Sequence, residues 1–336
     1  MRPFELRRAA SVEDAVLLGA SSPTAQHGAS VRYLAGGTTL LDLMKLDVEH
    51  PAHVVQIAHL GLDRIEVSPD GGLSIGATVR NSDLAHDERV RLGYPVLSEG
   101  LLSGASGQLR NMATTAGNLL QRTRCVYFRD PDRACNKRAP GSGCDAMEGY
   151  HRNLALLGTS DHCIATNPSD MNVALVVLEA RIHIAGLHGR REIPIANFHL
   201  LPRETPHIET PLAPGDLVTH VTLPPLPPGT RSGYLKLRDR ASYEFALASC
   251  AVVLRTEGGI VEQIRIGLGG VATRPWRAVR AEHMLAGRPL TVAGVEAAAA
   301  AALEGAQPRP GNAFKVELAR RCIVQAIRNV AGEALQ

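Results

Sequence analysis

One long stretch without regular periodicity most constrains how this 336-residue chain folds. Residues 121–168 contain four cysteines, which are Cys125, Cys135, Cys144 and Cys163. Irregular segments of this length are rare in compact domains unless they are functional or held by a ligand. A chain of this size buries enough surface to fold without disulfides. We therefore expect the cysteines to serve metal or redox chemistry, and we interpret residues 121–168 as an insertion that they organise.

The number and spacing of these cysteines leave more than one centre open. Nine, eight and eighteen residues separate successive cysteines. Four thiolates match an iron–sulfur cluster and also an all-cysteine zinc site. Zinc modules usually supply ligands in close pairs, so the spacing favours iron–sulfur over zinc, while four unrelated thiols remain the third possibility. We expect five nearby cations to offset the charge of a thiolate-bound centre, namely Arg122, Arg124, Arg133, Lys137 and Arg138.

Two segments rich in small residues are candidate ligand-binding loops. Ala35–Thr39 reads Ala-Gly-Gly-Thr-Thr after a short predicted strand. Its glycines permit positive φ and a close approach to a ligand, and its hydroxyls and N–H groups can cradle a phosphate. Gly107–Asn118 combines hydroxyls, an amide and a glycine, which suits a flat polar ligand. Taken alone, the first segment is equally typical of a plain strand–turn–helix connection, and the second is more typical of tight helix packing than of a ligand site.

The domain organisation is indicated by a change in pattern after residue 224. The length predicts about two domains, and the proline-rich run Pro224–Gly229 is the best linker. Strands followed by helices indicate an α+β domain beyond that linker. The predicted elements there are strands 233–238, 246–255 and 260–268 and helices 276–285, 292–303 and 314–330.

Composition excludes several classes of protein. Thirty-six basic and 33 acidic residues give a net charge of +3, too balanced for an electrostatic nucleic-acid binder. No apolar run approaches the roughly 18 residues of a membrane span. Residues 1–8 show no apolar signal region. We expect the protein to bind no nucleic acid, to insert into no membrane and to carry no export signal of its own. We therefore expect it to be cytoplasmic, or periplasmic by co-export with a partner subunit.

Taken together, these segments resemble the FAD-binding subunits of the molybdenum hydroxylases, the xanthine oxidase family. The insertion, with Gly104–Asn111, Gln121–Cys125 and Pro140–Cys144, is most similar to the bacterial aldehyde oxidoreductase branch that carries an extra 4Fe-4S cluster. The segments that carry the wider resemblance are Leu34–Leu40, Ala113–Asn118, Asn167–Asp170, the proline linker, the strand around Lys236 and Gly267–Trp276.

The resemblance implies an α+β fold in two domains. A two-part FAD-binding domain of the PCMH type would span residues 1–225, with 121–168 as a 4Fe-4S insertion. A smaller α+β domain of the CO dehydrogenase flavoprotein C-terminal type would span 230–334. Because the insertion lies between two FAD motifs, its two ends are expected to lie close together beside the flavin.

The resemblance also implies cofactor-binding roles for named residues. Those around the FAD pyrophosphate are Arg32, Tyr33, Leu34, Ala35, Gly36, Gly37, Thr38, Thr39 and Leu40. A second FAD contact is made by Thr114, Gly117 and Asn118, while Ser169, Asp170 and Lys236 lie near the isoalloxazine. The 4Fe-4S ligands are Cys125, Cys135, Cys144 and Cys163. No residue is nominated as a catalytic acid or base, and the FAD is expected to be noncovalent.

The implied function is electron relay within a heterotrimer. A molybdenum cofactor-binding large subunit would oxidise an aldehyde, a small subunit with 2Fe-2S clusters would pass the electrons on, and the FAD of this chain would deliver them to an external acceptor. Two alternatives stay open at this point. One is a flavin subunit like that of 4-hydroxybenzoyl-CoA reductase, with electrons running the other way. The other is a zinc-stabilised scaffold without catalysis.

Overall fold

The computed structural model describes residues 1–335, which form three β-sheets with helices packed against them. The strands of this part of the chain are β1 (Glu5–Arg8), β2 (Val31–Leu34), β3 (His53–Gln56), β4 (Ile65–Val67), β5 (Leu73–Gly76), β6 (Arg181–Gly186), β7 (Gly189–Pro194), β8 (Leu217–Leu223), β9 (Arg231–Leu237), β10 (Ala248–Glu257), β11 (Ile260–Gly269) and β12 (Trp276–Arg277). The α-helices are α1 (Val12–Ala20), α2 (Leu40–Lys45), α3 (Asn81–His86), α4 (Glu88–Gly93), α5 (Pro95–Ser103), α6 (Gly107–Arg110), α7 (Thr115–Leu119), α8 (Val126–Arg129), α9 (Asp170–Val177), α10 (Val279–Leu285), α11 (Val292–Ala301) and α12 (Phe314–Ala331). No helix in residues 1–335 is long and apolar enough to cross a membrane.

The first part of the chain builds two sheets. A small parallel sheet has the order β1-β3-β2, and a five-stranded antiparallel sheet has the order β4-β5-β8-β6-β7. Helix α1 starts where the Ser11 hydroxyl accepts a hydrogen bond from the N–H of Asp14 at 3.1 Å, a side-chain N-cap. Helix α1 contacts both sheets, so it joins them into one two-part domain.

Helix α9 lies at the centre of the molecule. All eight of its residues, Asp170–Val177, are buried, because the helix is apolar on nearly every side and must be covered all round. It contacts α5 and α7 of the first domain and β10, β11 and β12 of the second. The polar residues at its N-terminus, Ser169 and Asp170, are therefore held at the junction between the two domains.

The last part of the chain is the predicted α+β domain. An antiparallel sheet of order β12-β11-β10-β9 is covered by α10 and α12, and α11 packs against these two helices. The fold-class prediction is confirmed, with one correction at Trp276. This residue pairs with Leu268 as the short strand β12, and the helix predicted from residue 276 begins at Val279. Sequence periodicity does not show that residue 276 lies beside the edge of strand β11, because the two segments come together only in the folded chain.

Residues 121–168 form a compact insertion with little regular structure. It contains the single short helix α8 and two isolated antiparallel bridges, one between Cys135 and Cys144 and one between Ser160 and Cys163. Its two ends meet as expected, since the hydroxyl of Ser169 donates to Oδ1 of Asn118 at 2.8 Å. The buried ammonium of Lys315 ties the insertion to the C-terminal domain through a 2.9 Å hydrogen bond to the carbonyl of Leu154.

Candidate functional site

A cavity of about 270 Å³ opens between the two sheets of the first domain. We call it the first cavity. Every residue predicted to wrap the pyrophosphate, Arg32–Leu40, lines it, together with Thr114 and Gly117 of the second predicted segment. The structure therefore brings together two motifs that are some 75 residues apart in the sequence. A cleft of this size, lined by both apolar and convergent polar groups, is typical of a cofactor site.

The Ala35–Thr39 loop has the conformation that its two glycines predict. Gly37 has φ of +73°, in the left-handed region that favours glycine. A Cβ on Gly36 would lie 2.7 Å from the carbonyl carbon of Met112, so this loop and the second segment touch through their backbones. Thr39 makes no capping hydrogen bond to helix α2, which leaves its hydroxyl available to a ligand.

A second cavity, of about 340 Å³, lies beside the N-terminus of helix α9. We call it the second cavity. Ser169 and Asp170 line it, as do Cys125 of the insertion and Phe245 of the C-terminal domain. Asn167 lines both the first and the second cavity. The predicted binding segments therefore surround two adjoining spaces that meet at one residue.

Asn118 and Lys236 stand behind these surfaces, since neither is among the residues lining the first or second cavity. The ammonium of Lys236 donates to Oδ2 of Asp170 at 2.8 Å, and the hydroxyl of Tyr234 donates to Oδ1 at 2.7 Å. The side chains of Lys236 and Asp170 are only 3% and 8% exposed. Lys236 therefore fixes the carboxylate of Asp170 at the domain junction.

The four clustered cysteines line one small cavity, which we call the cysteine cavity. All four are free thiols, and burial raises the pKa of Cys125 to about 12 and that of Cys144 to about 11. Cys125 also lines the second cavity. In residues 1–335 no group of three or more His, Cys, Asp or Glu side chains is placed so that it could hold a metal ion.

A buried group of charged side chains forms one wall of the first cavity. Glu49, whose side chain is 2% exposed, accepts from Arg32 at 3.0 Å, from Arg122 at 2.6 Å and from His27 at 3.1 Å. Burial would raise the pKa of Glu49, but the hydrogen bond from His27 and the charges of Arg32 and Arg122 outweigh it and lower this pKa to about 2. Glu49 is therefore ionised at neutral pH.

This charged wall continues toward the insertion through Glu209. The guanidinium of Arg122 pairs with Glu209, and the ammonium of Lys137 donates to Glu209 Oε1 at 2.8 Å. Two of the cations expected to offset thiolates therefore have carboxylate partners, since Arg122 pairs with Glu49 and Glu209 and Arg124 pairs with Asp42 at 3.2 Å. A buried cation needs a fixed counter-charge, and the carboxylates supply it.

Comparison with known proteins identifies the family. Residues 2–226 match the family described as the FAD binding domain in molybdopterin dehydrogenase, and residues 233–330 match the CO dehydrogenase flavoprotein C-terminal domain. The chain belongs to the FAD-binding subunits of the molybdenum hydroxylases. The predicted fold of a PCMH-type FAD domain with a smaller flavoprotein C-terminal domain is thereby confirmed, as is its function as the flavin subunit of an oxidoreductase.

Named relatives agree with this assignment over the full length. The aldehyde oxidoreductase FAD-binding subunit PaoB of Escherichia coli (strain K12) is 48% identical over 99% of this chain and 100% of that protein. The carbon monoxide dehydrogenase medium chain of Hydrogenophaga pseudoflava is 29% identical over 96% of each. A solved structure of carbon monoxide dehydrogenase from that organism, lacking the Mo-pyranopterin moiety, has a TM-score of 0.76, 27% identity and 99% coverage of both chains.

The first cavity fits the anionic part of FAD. Its charged wall holds three cations, Arg32, Arg122 and Lys137, against two carboxylates, Glu49 and Glu209, while Asp216, the third carboxylate that lines the cavity, is paired with Arg191 at 2.8 Å. The wall therefore has a surplus positive charge. Nη2 of Arg122 is buried and has no hydrogen-bond partner within residues 1–335. A pyrophosphate group supplies the acceptor and the negative charge that such a donor needs.

Sequence reasoning missed several residues of this site. Glu49, Glu209 and His199 line the first cavity, and none of them stands in a recognisable motif. Asn167, which joins the first cavity to the second, belongs to the segment Asn167–Asp170 that carries the resemblance, although no binding role was predicted for it.

His199 gives the flavin subunit a testable pH dependence. Burial lowers the pKa of His199 to about 4, and its Nε2–H donates to the carbonyl of Leu119 at 3.0 Å. Between pH 6.5 and 4 the unfolded chain binds a proton that the native chain excludes, so stability falls with decreasing pH by up to about 1.4 kcal/mol per unit. Urea unfolding of His199→Asn should show a shallower dependence over this window. The exposed His188→Asn is the control, and equal slopes in both variants would contradict this reading.

Proposed function

We propose that this chain is the electron-transfer subunit of a molybdenum-dependent aldehyde oxidoreductase. It takes electrons from a 2Fe-2S small subunit, whose partner is a molybdenum cofactor-binding large subunit, and passes them to an external acceptor. The observation that carries this choice is the 48% identity, over the whole length, to a protein named as an aldehyde oxidoreductase subunit. The other relatives compared above are carbon monoxide dehydrogenases at 29% identity or less.

The residues proposed to hold FAD are those that line the two adjoining cavities. Arg32–Leu40, with Thr114 and Gly117, surround the pyrophosphate in the first cavity. Ser169 and Asp170 face the flavin from the second cavity, while Asn118 and Lys236 hold that pair in place. When bound, FAD supplies the ability to accept and release electrons, and the chain supplies position and electrostatic environment.

We further propose that Cys125, Cys135, Cys144 and Cys163 hold a 4Fe-4S cluster. Support comes from the lining of one shared cavity by all four thiols. A cubane binds each cysteine to a different iron, so the four sulfurs need not converge on one ion as they would around zinc. The described residues offer no arrangement for a single ion, and nothing therefore favours the zinc scaffold.

Cofactor content tests this assignment directly. We expect the anaerobically purified full chain to contain about four irons, about four acid-labile sulfides and one FAD. Cys125→Ala should abolish the iron, whereas Cys250→Ala, which removes an equally buried thiol in the C-terminal sheet, should leave it unchanged. FAD without iron in the wild-type chain would overturn the cluster and keep the flavin subunit, and zinc without FAD would overturn both.

The substrate class is tested on the assembled complex. Oxidation of an aldehyde to a carboxylic acid releases two electrons, and these should bleach the flavin absorption when an aldehyde is added anaerobically. Carbon monoxide and xanthine serve as comparison substrates. Bleaching by carbon monoxide or xanthine, but by no aldehyde, would reject the aldehyde assignment while leaving the family intact.

A further inference from the structure

Lys137 is the one residue that lines both the first cavity and the cysteine cavity among residues 1–335. It lies two positions after Cys135, inside the insertion. Its ammonium nevertheless binds outside the insertion, donating to Glu209 Oε1 at 2.8 Å and to the carbonyl of Pro206 at 3.0 Å. The cysteine-bearing segment therefore supplies a piece of the wall that faces the first cavity.

From Lys137 a chain of alternating charges leads to the FAD-binding loop. Glu209 pairs with Arg122, Arg122 binds Glu49 at 2.6 Å, and Glu49 binds Arg32 at 3.0 Å. Arg32 belongs to strand β2, which leads directly into the Ala35–Thr39 loop. This path of four ion pairs connects the cysteine cavity to the loop at the other side of the first cavity.

Burial makes each member of this chain depend on the others. Side-chain exposure is 2% for Glu49, 10% for Lys137, 13% for Arg122, 20% for Arg32 and 23% for Glu209, so water replaces a lost partner only in part. Removing one charge from a buried pair leaves the other uncompensated, and connected polar groups respond as a unit. Without Lys137, the carboxylate of Glu209 would interact with Arg122 alone. Arg122 would then offer less positive charge to a ligand in the first cavity.

We propose that Lys137 and Glu209 are positioning residues that couple the cysteine-bearing segment to FAD affinity. While the cysteines and their ligand hold that segment in shape, Lys137 shares Glu209 with Arg122, and the wall keeps its surplus positive charge toward FAD. The inference rests on the proposed FAD site in the first cavity and does not depend on which ligand the cysteines hold.

The test is the affinity for FAD, measured by titrating flavin-depleted complex with FAD and following flavin fluorescence. Lys137→Met should raise the Kd at least tenfold, whereas Glu209→Gln, which removes the carboxylate that offsets Arg122, should not raise it. The double variant should recover most of the affinity that Lys137→Met loses, because Glu209 can then no longer neutralise Arg122. Lys137→Arg keeps the charge and should stay within about threefold of wild type, which separates the proposed role from a general loss of folding.

Matched controls exist in the same segments. Arg133 is an exposed cation of the insertion whose partner is Asp130, and Glu204 is an exposed carboxylate near Glu209. Neither lines the first cavity. Arg133→Met and Glu204→Gln should therefore leave the Kd unchanged. Equal losses in these controls, or wild-type affinity in Lys137→Met, would overturn the coupling.

A second measurement asks whether the cysteines act through Lys137. Cys144 is the least buried of the four, so Cys144→Ser disturbs packing least. It should raise the Kd for FAD at least tenfold in the wild-type background and less than twofold in the Lys137→Met variant. If the effects of Cys144→Ser and Lys137→Met on the Kd multiplied, the coupling would be overturned, but the proposed FAD site would not. If FAD did not bind in the first cavity, Gly36→Ala, which disrupts the loop of that cavity, would keep wild-type affinity for FAD. This result distinguishes failure of the proposed FAD site from failure of the coupling.

Discussion

Replacing Gly36 with alanine should reduce FAD affinity on the order of 100-fold, which corresponds to about 2.7 kcal/mol. The added Cβ would overlap the carbonyl group of Met112, whose carbon would lie 2.7 Å away. The carbonyl of Met112 belongs to the backbone, and the new Cβ is attached directly to the backbone of residue 36, so neither group can rotate aside as the end of a flexible side chain would. The Ala35–Thr39 loop and the segment before Thr114 must move apart, and the loop and Thr114 itself line the first cavity. Fluorescence titration with FAD measures the loss.

Gly93→Ala is the matched control for this substitution. A Cβ on Gly93 would meet nothing within 4 Å, and the residue ends helix α4, away from the cavity-lining residues. Its FAD affinity should equal that of the wild type. If Gly36→Ala bound FAD as tightly as Gly93→Ala, the loop would not form the pyrophosphate site.

The second large effect is expected from Lys236→Met. This change leaves the carboxylate of Asp170 buried with the Tyr234 hydroxyl as its remaining partner on strand β9. Breaking a buried ion pair typically costs about 3–5 kcal/mol, which lowers the thermal unfolding midpoint on the order of 10 °C. Differential scanning calorimetry of the full chain is the measurement, and the loss should be seen with and without added FAD.

Two comparisons separate charge from packing in this result. The double variant Lys236→Met with Asp170→Asn removes both charges and should recover part of the stability. Arg181→Met breaks the exposed pair between Arg181 and Glu192, and exposed pairs contribute little, so its midpoint should match that of the wild type. If Lys236→Met were as stable as the double variant, the charge of Asp170 would not be what Lys236 compensates.

Features that depend on neighbouring residues could be predicted from the sequence alone. The cap at Ser11, the glycine conformation at Gly37 and the strands and helices after the proline linker each follow from signals within a few residues. The resemblance added the flavin fold and the pairing of the Ala35–Thr39 loop with the Thr114–Asn118 segment. Steric and hydrogen-bond preferences of this kind act over short stretches of chain, and therefore they can be recognised in the sequence.

The pairing of buried charges follows from tertiary packing and could not be predicted from the sequence. Glu49, Arg122 and Glu209 lie far apart in the sequence and show no pattern there, yet they form one buried wall beside the FAD loop. Lys137 was predicted to be a counter-charge for thiolates, and it lies beside the cysteine cavity while it also pairs with Glu209. Local sequence fixes where a side chain sits on its own element. The partner of a buried charge is chosen by the three-dimensional packing that excludes water around it, since a desolvated ion is stable only beside an opposite charge.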